Sequence, residues 1–198
     1  MRTRPFTWDD LIVMEVHSGI YTKYFAPKPG DVVVDAGAHI GAFTEIASRL
    51  VGPTGCVYAF EPHPDNFALL RENVADLSNV VAFNVALGEA RGRTRMPYLE
   101  MNTGAVRSGE GPFEVQVVRL DDVVPSADFL KVDVEGDEVS LLRGARGILK
   151  HKPMIAMEVN EMAVARRIVE RLGDLGYRAR GEPYWLNWMV YASPNDCP

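Results

Sequence analysis

Hydrophobic and polar positions follow two periods along this chain, and the periods take turns. Short runs rich in β-branched and aromatic residues predict strands: VVVD (32–35), CVYAF (56–60), VVAFNV (80–85), FLKVDV (129–134) and MIAMEV (154–159). Between them, apolar residues fall three and four apart, the spacing of one helix face. One such helix is expected from Asp65 to Val74, with Phe67, Leu70 and Val74 inward. A second runs from Glu138 to Leu149 with Val139, Leu142 and Ile148, and a third from Glu161 to Leu175, closed by Gly176 at C′. The segment FTEIASRL predicts a helix directly after the first strand. An amphipathic helix from Thr7 to Val16 opens the chain, with Thr7 and Asp10 at capping-box spacing.

Strand and helix in alternation imply a mostly parallel sheet. The end of the chain breaks that rhythm. YRARG (177–181) and NWMVYA (187–192) are separated by five residues, too few for a crossover, so they should pair antiparallel. The expected fold is α/β and Rossmann-like, a seven-stranded, mostly parallel sheet closed by a C-terminal antiparallel hairpin. Residues 88–128 interrupt the pattern, and MPYL (96–99) with FEVQVV (113–118) predicts an inserted hairpin or edge pair. The length of 198 residues suits a single domain over 1–198, with 1–30 as a helical segment or reduced lid and 31–198 as the Rossmann-like core.

Composition narrows the partners. Apolar residues make up 47% of the chain, enough for a sizeable core, and the formal net charge is −6. That balance speaks against a nucleic-acid partner, which needs a basic surface. Two cysteines, Cys56 and Cys197, form no disulfide framework or metal spacing; Cys56 is expected in the core and Cys197 at a frayed end. No run reaches the ~18 apolar residues of a membrane span, and MRTRPFTWDD is not a signal peptide. The expectation is a cytoplasmic protein with no membrane span. A homodimer is compatible with everything in the sequence.

The chemistry concentrates where strands end. In VVVDAGAHIG, a strand meets Asp35, then Gly37, Ala38, His39 and Gly41, then a helix. Glycines there let backbone approach a ligand, and a helix N-terminus offers unpaired N–H groups. A dinucleotide fingerprint would carry a glycine where His39 stands, and Asp35 would repel a pyrophosphate. S-adenosylmethionine, with its amino-acid end and sulfonium, tolerates acids. Glu61, in AFEPHP before Pro62, lies 24 residues after Gly37, about where an acid takes the ribose hydroxyls. Asn84 and Ala86 predict a rim for the adenine. On the fourth strand, Lys131, Asp133 and Glu135 share one side by strand periodicity, with Lys131 expected to pair with a carboxylate and Asp133 to face the site. Asp133, Glu158 and Asn160 end adjacent strands and form a candidate oxygen-ligand set for Mg²⁺ or another divalent cation, or a set of contacts to substrate hydroxyls. Asp133, Glu135 and His39 are the candidate bases. Tyr21, Trp185 and Trp188 are candidates for the cofactor or acceptor pocket, with ordinary packing as the alternative.

The segments VVVDAGAHIGAFT, FEPHPDNFALLRENV, VALGE, RLDDV and FLKVDVEGDEVSLLRGA, in this order, resemble the FkbM-type methyltransferases. The resemblance covers Lys28 to Asn160, and the DVEG block followed by LLRGA is its most specific part. It implies the class I methyltransferase fold and S-adenosyl-L-methionine as cofactor, with cofactor roles for Asp35, Gly37, Gly41 and Glu61 and active-site roles for Asp133 and Glu135. His39 stands where this family often has Asn. The implied reaction is methyl transfer to a hydroxyl of a small molecule: a natural product, a sugar or a lipid-linked acceptor. The rivals are a nicotinamide-dependent oxidoreductase, disfavoured by the missing middle glycine and the lack of a Tyr-x-x-x-Lys pair, and a non-catalytic S-adenosylmethionine-binding module, disfavoured by the intact acidic cluster. A base methyltransferase of nucleic acids ranks last, because DVEG stands where an Asn/Asp-Pro-Pro-Tyr segment is needed.

Overall fold

The computed structural model describes residues 1–98, 101–104 and 107–195. The expectation for Cys197 and the end of MPYL at Leu99 lie outside them. The principal strands are β1 (Val32–Ala36), β2 (Cys56–Phe60), β3 (Val80–Phe83), β7 (Phe129–Val132), β8 (Met154–Val159), β9 (Tyr177–Tyr184) and β10 (Asn187–Pro194). They form one sheet in the order β3-β2-β1-β7-β8-β10-β9. All neighbours are parallel except the two pairs made by β10. The order reverses beside β1, and the open crevice at such a switch point is where α/β sheets bind ligands.

The helices are α1 (Asp9–His17), α2 (Ala42–Val51), α3 (Pro64–Asn73), α4 (Glu138–Gly144), α5 (Arg146–Lys150) and α6 (Met162–Asp174). Alternation along β1 divides the core: Val33 joins Phe43, Ala47 and Val51 of α2 on one face, whereas Val34 and Ala36 join Leu141, Ile148, Ile168 and Leu172 of α4–α6 on the other. Each face of the sheet is therefore covered, as parallel strands require.

Four details differ from the sequence expectation. The helix expected over 138–149 breaks at Ala145. Gly144 lies so close to the Gly88 backbone that a Cβ would fall 2.0 Å from its carbonyl oxygen, and Asp121 accepts from Gly147 N (2.8 Å) and Ile148 N (3.0 Å), starting a new helix. The inserted pair is β6 (Phe113–Val118) with the polar β5 (Gly92–Met96), antiparallel, and β4 (Ala86–Leu87) completes a separate three-stranded sheet. No capping box forms at α1: Thr7 Oγ1 accepts from Asp9 N at 3.3 Å, and the helix begins with Asp9 turned inward. The last hairpin is longer than expected, so that Trp185 and Leu186 form its tip, 90% and 94% exposed. Trp188 packs at the edge of the core.

Candidate active site

The turns that follow β1, β2 and β7 open onto one cavity of about 700 Å³, open solvent at its mouth included. Of the residues expected in a site, Gly37, His39, Glu61, Pro62, Ala86, Asp133 and Glu135 line it. Phe60, Val85, Leu87 and Met96 supply its apolar wall, and Ile12 of α1 with Gly104 and Ser108 closes its rim. A few polar groups on an apolar wall is the usual composition of a small-molecule site.

Asp35 is not part of this lining. It is fully buried behind the loop, where Oδ2 accepts from Thr44 Oγ1 (2.6 Å) and Oδ1 lies 3.2 Å from Lys131 Nζ. The register explains the pair, since Asp35 and Lys131 are opposite one another on β1 and β7. Lys131 also donates to Gly37 O at 2.5 Å and lies 3.7 Å from Asp133 Oδ2. Burial would lower the Lys131 pKa, but Asp35 and Asp133 hold it above its ordinary value. The ammonium thus ties strand, turn and acidic segment together.

The turn itself is tight. Gly37 and Ala38 both donate to Phe60 O at 2.9 Å, and His39 N donates to Glu61 Oε2 at 2.9 Å. These N–H groups are used inside the protein and are not free for a ligand. Ala38 is 4% exposed and packs with Leu70 of α3. Gly41 has φ +97° and starts α2 against Leu70, at a place where a Cβ would lie 2.8 Å from Leu70 Cδ1. Asn84 is exposed and outside the cavity lining: its Nδ2 donates to the carbonyls of Glu61 and Pro62, both at 2.9 Å, and so shapes the turn that carries Glu61.

Glu61 is the buried acid of the cavity. Besides His39 N, it accepts from His63 N at 2.9 Å and from Asn66 Nδ2 at 3.5 Å. Burial raises it to about 7 despite those bonds. A carboxylate so placed gains from any hydroxyl that donates to it.

Strand β7 ends at Val132, so Asp133 and Glu135 sit in the turn beyond it and not on one strand face. Glu135 has φ +52° and His39 φ +52°, conformations that non-glycine residues seldom adopt and that cluster at functional sites. Glu135 accepts from Asn160 Nδ2 at 2.9 Å, and burial and then the charge of Asp133 raise it to about 7.

The expected cation set does not assemble. Tyr21 Oη stands between Asp133 and Glu158, 3.0 Å from each, and Asn160 gives its amide to Glu135. Among the described residues no group of three His, Cys, Asp or Glu side chains is placed to hold a metal ion. Glu158 and Asn160 are not cavity residues, and the site's residues do not fit a divalent ion.

His39 is held by a network that sequence reasoning missed. Arg4 clamps Asp9 with two bonds of 2.9 Å, and its Nη2 also donates to Asn66 Oδ1 at 2.8 Å. Burial opposes the charge on Asp9, but bonds from Arg4 and Thr103 hold it at about 2. Thr103 Oγ1 therefore donates to Asp9 Oδ1 (2.5 Å) and accepts from His39 Nε2–H (2.9 Å). Burial lowers His39 to about 4, so the imidazole is neutral at pH 7, and its Nε2–H is already committed to Thr103. It braces the loop. Nothing in the spacing of Arg4, Asp9, His39, Asn66 and Thr103 signals this network, because its members come from four separate stretches of the chain.

Sheet order, reversed final hairpin and cavity together define the Rossmann-like methyltransferase fold. The FkbM methyltransferase from Methylobacillus flagellatus has the same architecture, with a TM-score of 0.62 at 20% identity, over 96% of this chain and 55% of that one. A SAM-dependent O-methyltransferase from Thermotoga maritima matches with a TM-score of 0.55 at 16% identity, over 96% of this chain and 65% of that one. Residues 35–179 match the Methyltransferase FkbM domain, and the chain belongs to that family. It is 31% identical to the hexuronic acid methyltransferase AglP of Haloferax volcanii, over 73% of this chain and 62% of AglP. It is 25% identical to the 2-O-methyltransferase NoeI of Sinorhizobium fredii, over 75% of this chain and 70% of NoeI. With the 31-O-demethyl-FK506 methyltransferase FkbM of Streptomyces tacrolimicus it shares 32% identity, over 59% of this chain and 60% of that enzyme. The chain thus spans about three fifths of the length of AglP and of this FkbM.

Proposed function

We propose that this chain transfers a methyl group from S-adenosylmethionine to a hydroxyl oxygen of a small molecule, with a sugar or another polyhydroxylated natural product as acceptor. The observation that carries the reading is the buried Glu61 carboxylate just after β2, in an apolar-walled cavity that Asp133 and Glu135 also line. The names of AglP, NoeI and FkbM, relatives described as acting on a hexuronic acid, at a 2-O position and on 31-O-demethyl-FK506, support oxygen as the acceptor atom.

When bound, the cofactor supplies an electrophilic methyl on sulfonium sulfur. Glu61 would accept from the ribose hydroxyls, and Phe60, Pro62, Val85, Ala86 and Leu87 offer a slot for a flat base. Asp133 and Glu135 line the same space. Held close together, two reactants need far less ordering in the transition state. An acceptor hydroxyl must also lose its proton, and Asp133 is the base this reading assigns. The acidic chain, with net charge −6, favours a small-molecule over a nucleic-acid partner. No helix among the described residues is long and apolar enough to cross a membrane. The proposal places the reaction in the cytoplasm.

Calorimetric titration with S-adenosylhomocysteine tests the cofactor half, and absence of binding would overturn it. The acceptor half is tested by incubating the protein with S-adenosylmethionine and a panel of glycosides and macrolides, methyl glucuronide included, and seeking a gain of one methyl by mass spectrometry. Asp133→Ala should abolish that gain while retaining the fold by circular dichroism.

A further inference from the structure

A phenol carries one proton, yet the hydroxyl of Tyr21 lies 3.0 Å from Asp133 Oδ2 and 3.0 Å from Glu158 Oε2. Were both carboxylates ionised, only one contact would be a hydrogen bond and the other would set lone pairs against each other. Both contacts are satisfied when one carboxyl is protonated: it donates to Tyr21 Oη, and Tyr21 donates to the other. Tyr21 is held for this role, being 3% exposed, edge-on to Phe43 and beneath the Lys131 ammonium, which lies 5.1 Å from its ring centre.

The neighbours decide which carboxyl is protonated. Lys131 Nζ lies 3.7 Å from Asp133 Oδ2, and that cation, itself paired with Asp35 on β1, favours the charged form of Asp133. Glu158 forms no ion pair within 4.0 Å among the described residues; the Lys131 charge also reaches it, but from farther than Asp133, and its Oε1 accepts from Asn187 Nδ2 of β10 at 2.5 Å. Glu15 of α1 faces it as a further acid, and Tyr184 at the end of β9 sits beside Glu15. Glu135 adds negative charge on the Asp133 side. Burial and the charges of Asp133 and Glu15 raise Glu158 to about 8. Glu158 is only half-buried and lies outside the cavity, whereas Asp133 lines it.

We propose that Asp133, Tyr21 and Glu158 share one carboxyl proton, stored at Glu158, and that Tyr21 links the cavity-facing Asp133 to Glu158 as a proton relay. Asp133 is then the ionised group turned toward the acceptor. When an acceptor hydroxyl gives its proton to Asp133, Tyr21 takes a proton from Asp133 as it passes its own to Glu158. Tyr21 ends unchanged, and Glu158 returns the proton to water. The transfer needs a Glu158 that has already released its stored proton, so the relay opens as pH rises through the Glu158 midpoint. Tyr21 and Glu158 are positioning residues that act through Asp133. The use of the relay rests on the methyl-transfer reading, but the shared proton does not.

The experiment is a carboxyl-¹³C NMR titration of the ligand-free protein, repeated on Tyr21→Phe and Glu158→Gln, with thermal melts to establish that each variant folds. In the parent protein the Glu158 resonance should titrate at least two pH units above the ordinary glutamate range, and the Asp133 resonance should shift at the same midpoint. Glu158→Gln should remove that upper step from Asp133. Tyr21→Phe should leave Asp133 blind to Glu158. A Glu158 midpoint in the ordinary range overturns the proposal. So does an Asp133 response that persists in Tyr21→Phe, or one that persists in Glu158→Gln if Tyr21→Phe fails to fold. Calorimetry with S-adenosylhomocysteine on the same sample keeps the two readings apart. Absent binding sinks the methyl-transfer reading and leaves the shared proton standing, whereas binding with an ordinary Glu158 sinks the relay alone.

Discussion

A Cβ placed on Gly37 would lie 1.7 Å from the carbonyl oxygen of Asp133. The turn after β1 and the acidic segment after β7 are in backbone contact there, and Asp133 N donates to Ala36 O at 2.9 Å close by. Glycine at this position serves the approach of one backbone to another. Gly37 also has φ +77°, a left-handed conformation that costs an L-residue roughly 1–2 kcal/mol. Gly37→Ala adds that strain to a collision with main chain that no rotamer relieves. A loss above about 3 kcal/mol is expected by urea denaturation. A loss below 1 kcal/mol would show that the two turns separate easily.

Lys131 is buried between Asp35 and Asp133. Lys131→Met fills the same space but leaves Asp35 buried without a cation. Breaking one side of a buried pair typically costs about 3–5 kcal/mol. The companion change Asp35→Asn in the same chain should recover part of that loss. If the double variant is no more stable than Lys131→Met, the two groups do not act as a pair.

Glu61 provides the sharpest test of cofactor binding. Glu61→Gln keeps the shape but replaces a charged acceptor with a neutral one, and hydrogen bonds to charged groups contribute about 1.5–3 kcal/mol. S-adenosylhomocysteine affinity should fall roughly 10- to 100-fold. Ribose hydroxyls donate more strongly to the ionised form, and Glu61 sits at about 7 in the ligand-free protein. Binding should therefore tighten from pH 6 to pH 8 with release of a proton. Calorimetry in buffers of different ionisation enthalpy measures that proton. A pH-independent affinity would remove Glu61 from the ribose site.

Stability should depend on pH in a window set by the buried acids. Glu61 and Glu135 are raised from 4.5 to about 7 and Glu158 to about 8, so the unfolded chain loses these protons first as pH rises. Their contribution is fully present below pH 4.5 and is lost through pH 7 to 8. His39, lowered from 6.5 to about 4, acts in the opposite direction, but only between those two values. Above pH 6.5 the acids act alone. The melting temperature of the ligand-free protein should fall between pH 6.5 and 8.5, by an amount equivalent to roughly 3 kcal/mol. A flat or rising melting temperature across that interval would contradict the assigned shifts.

Strands β2 and β8 have the boundaries that the sequence predicts, because CVYAF and MIAMEV are short, mainly apolar runs of strand length, which a sheet covered on both faces makes recognisable without strict alternation. Strand β5 escaped notice: GRTRM is polar, and it is a strand only because β6 pairs with it at an edge. The break at Ala145 was also hidden, since its causes, Gly88 and Asp121, lie far away in sequence. The same divide runs through the candidate site. Glu61, Asp133 and Glu135 could be found because chemistry in α/β sheets gathers where strands end. The place of Tyr21 could not: the sequence offers it only as a candidate for the cofactor or acceptor pocket, and nothing local sets it between two acids.

By itself, then, the sequence determined the alternation of elements, the parallel sheet with its reversed final hairpin, the family resemblance and the strand-end acids. All of these follow from local periodicity and from residue types at fixed offsets. Tertiary structure alone decided which of those acids face the cavity and which are structural. Asp35 turned to Lys131, Asn84 to the Glu61 turn, Asn160 to Glu135 and Glu158 to Tyr21. The reason is physical: the state of a charged group depends on the charges, donors and solvent within a few ångströms, and those neighbours come from distant parts of the chain.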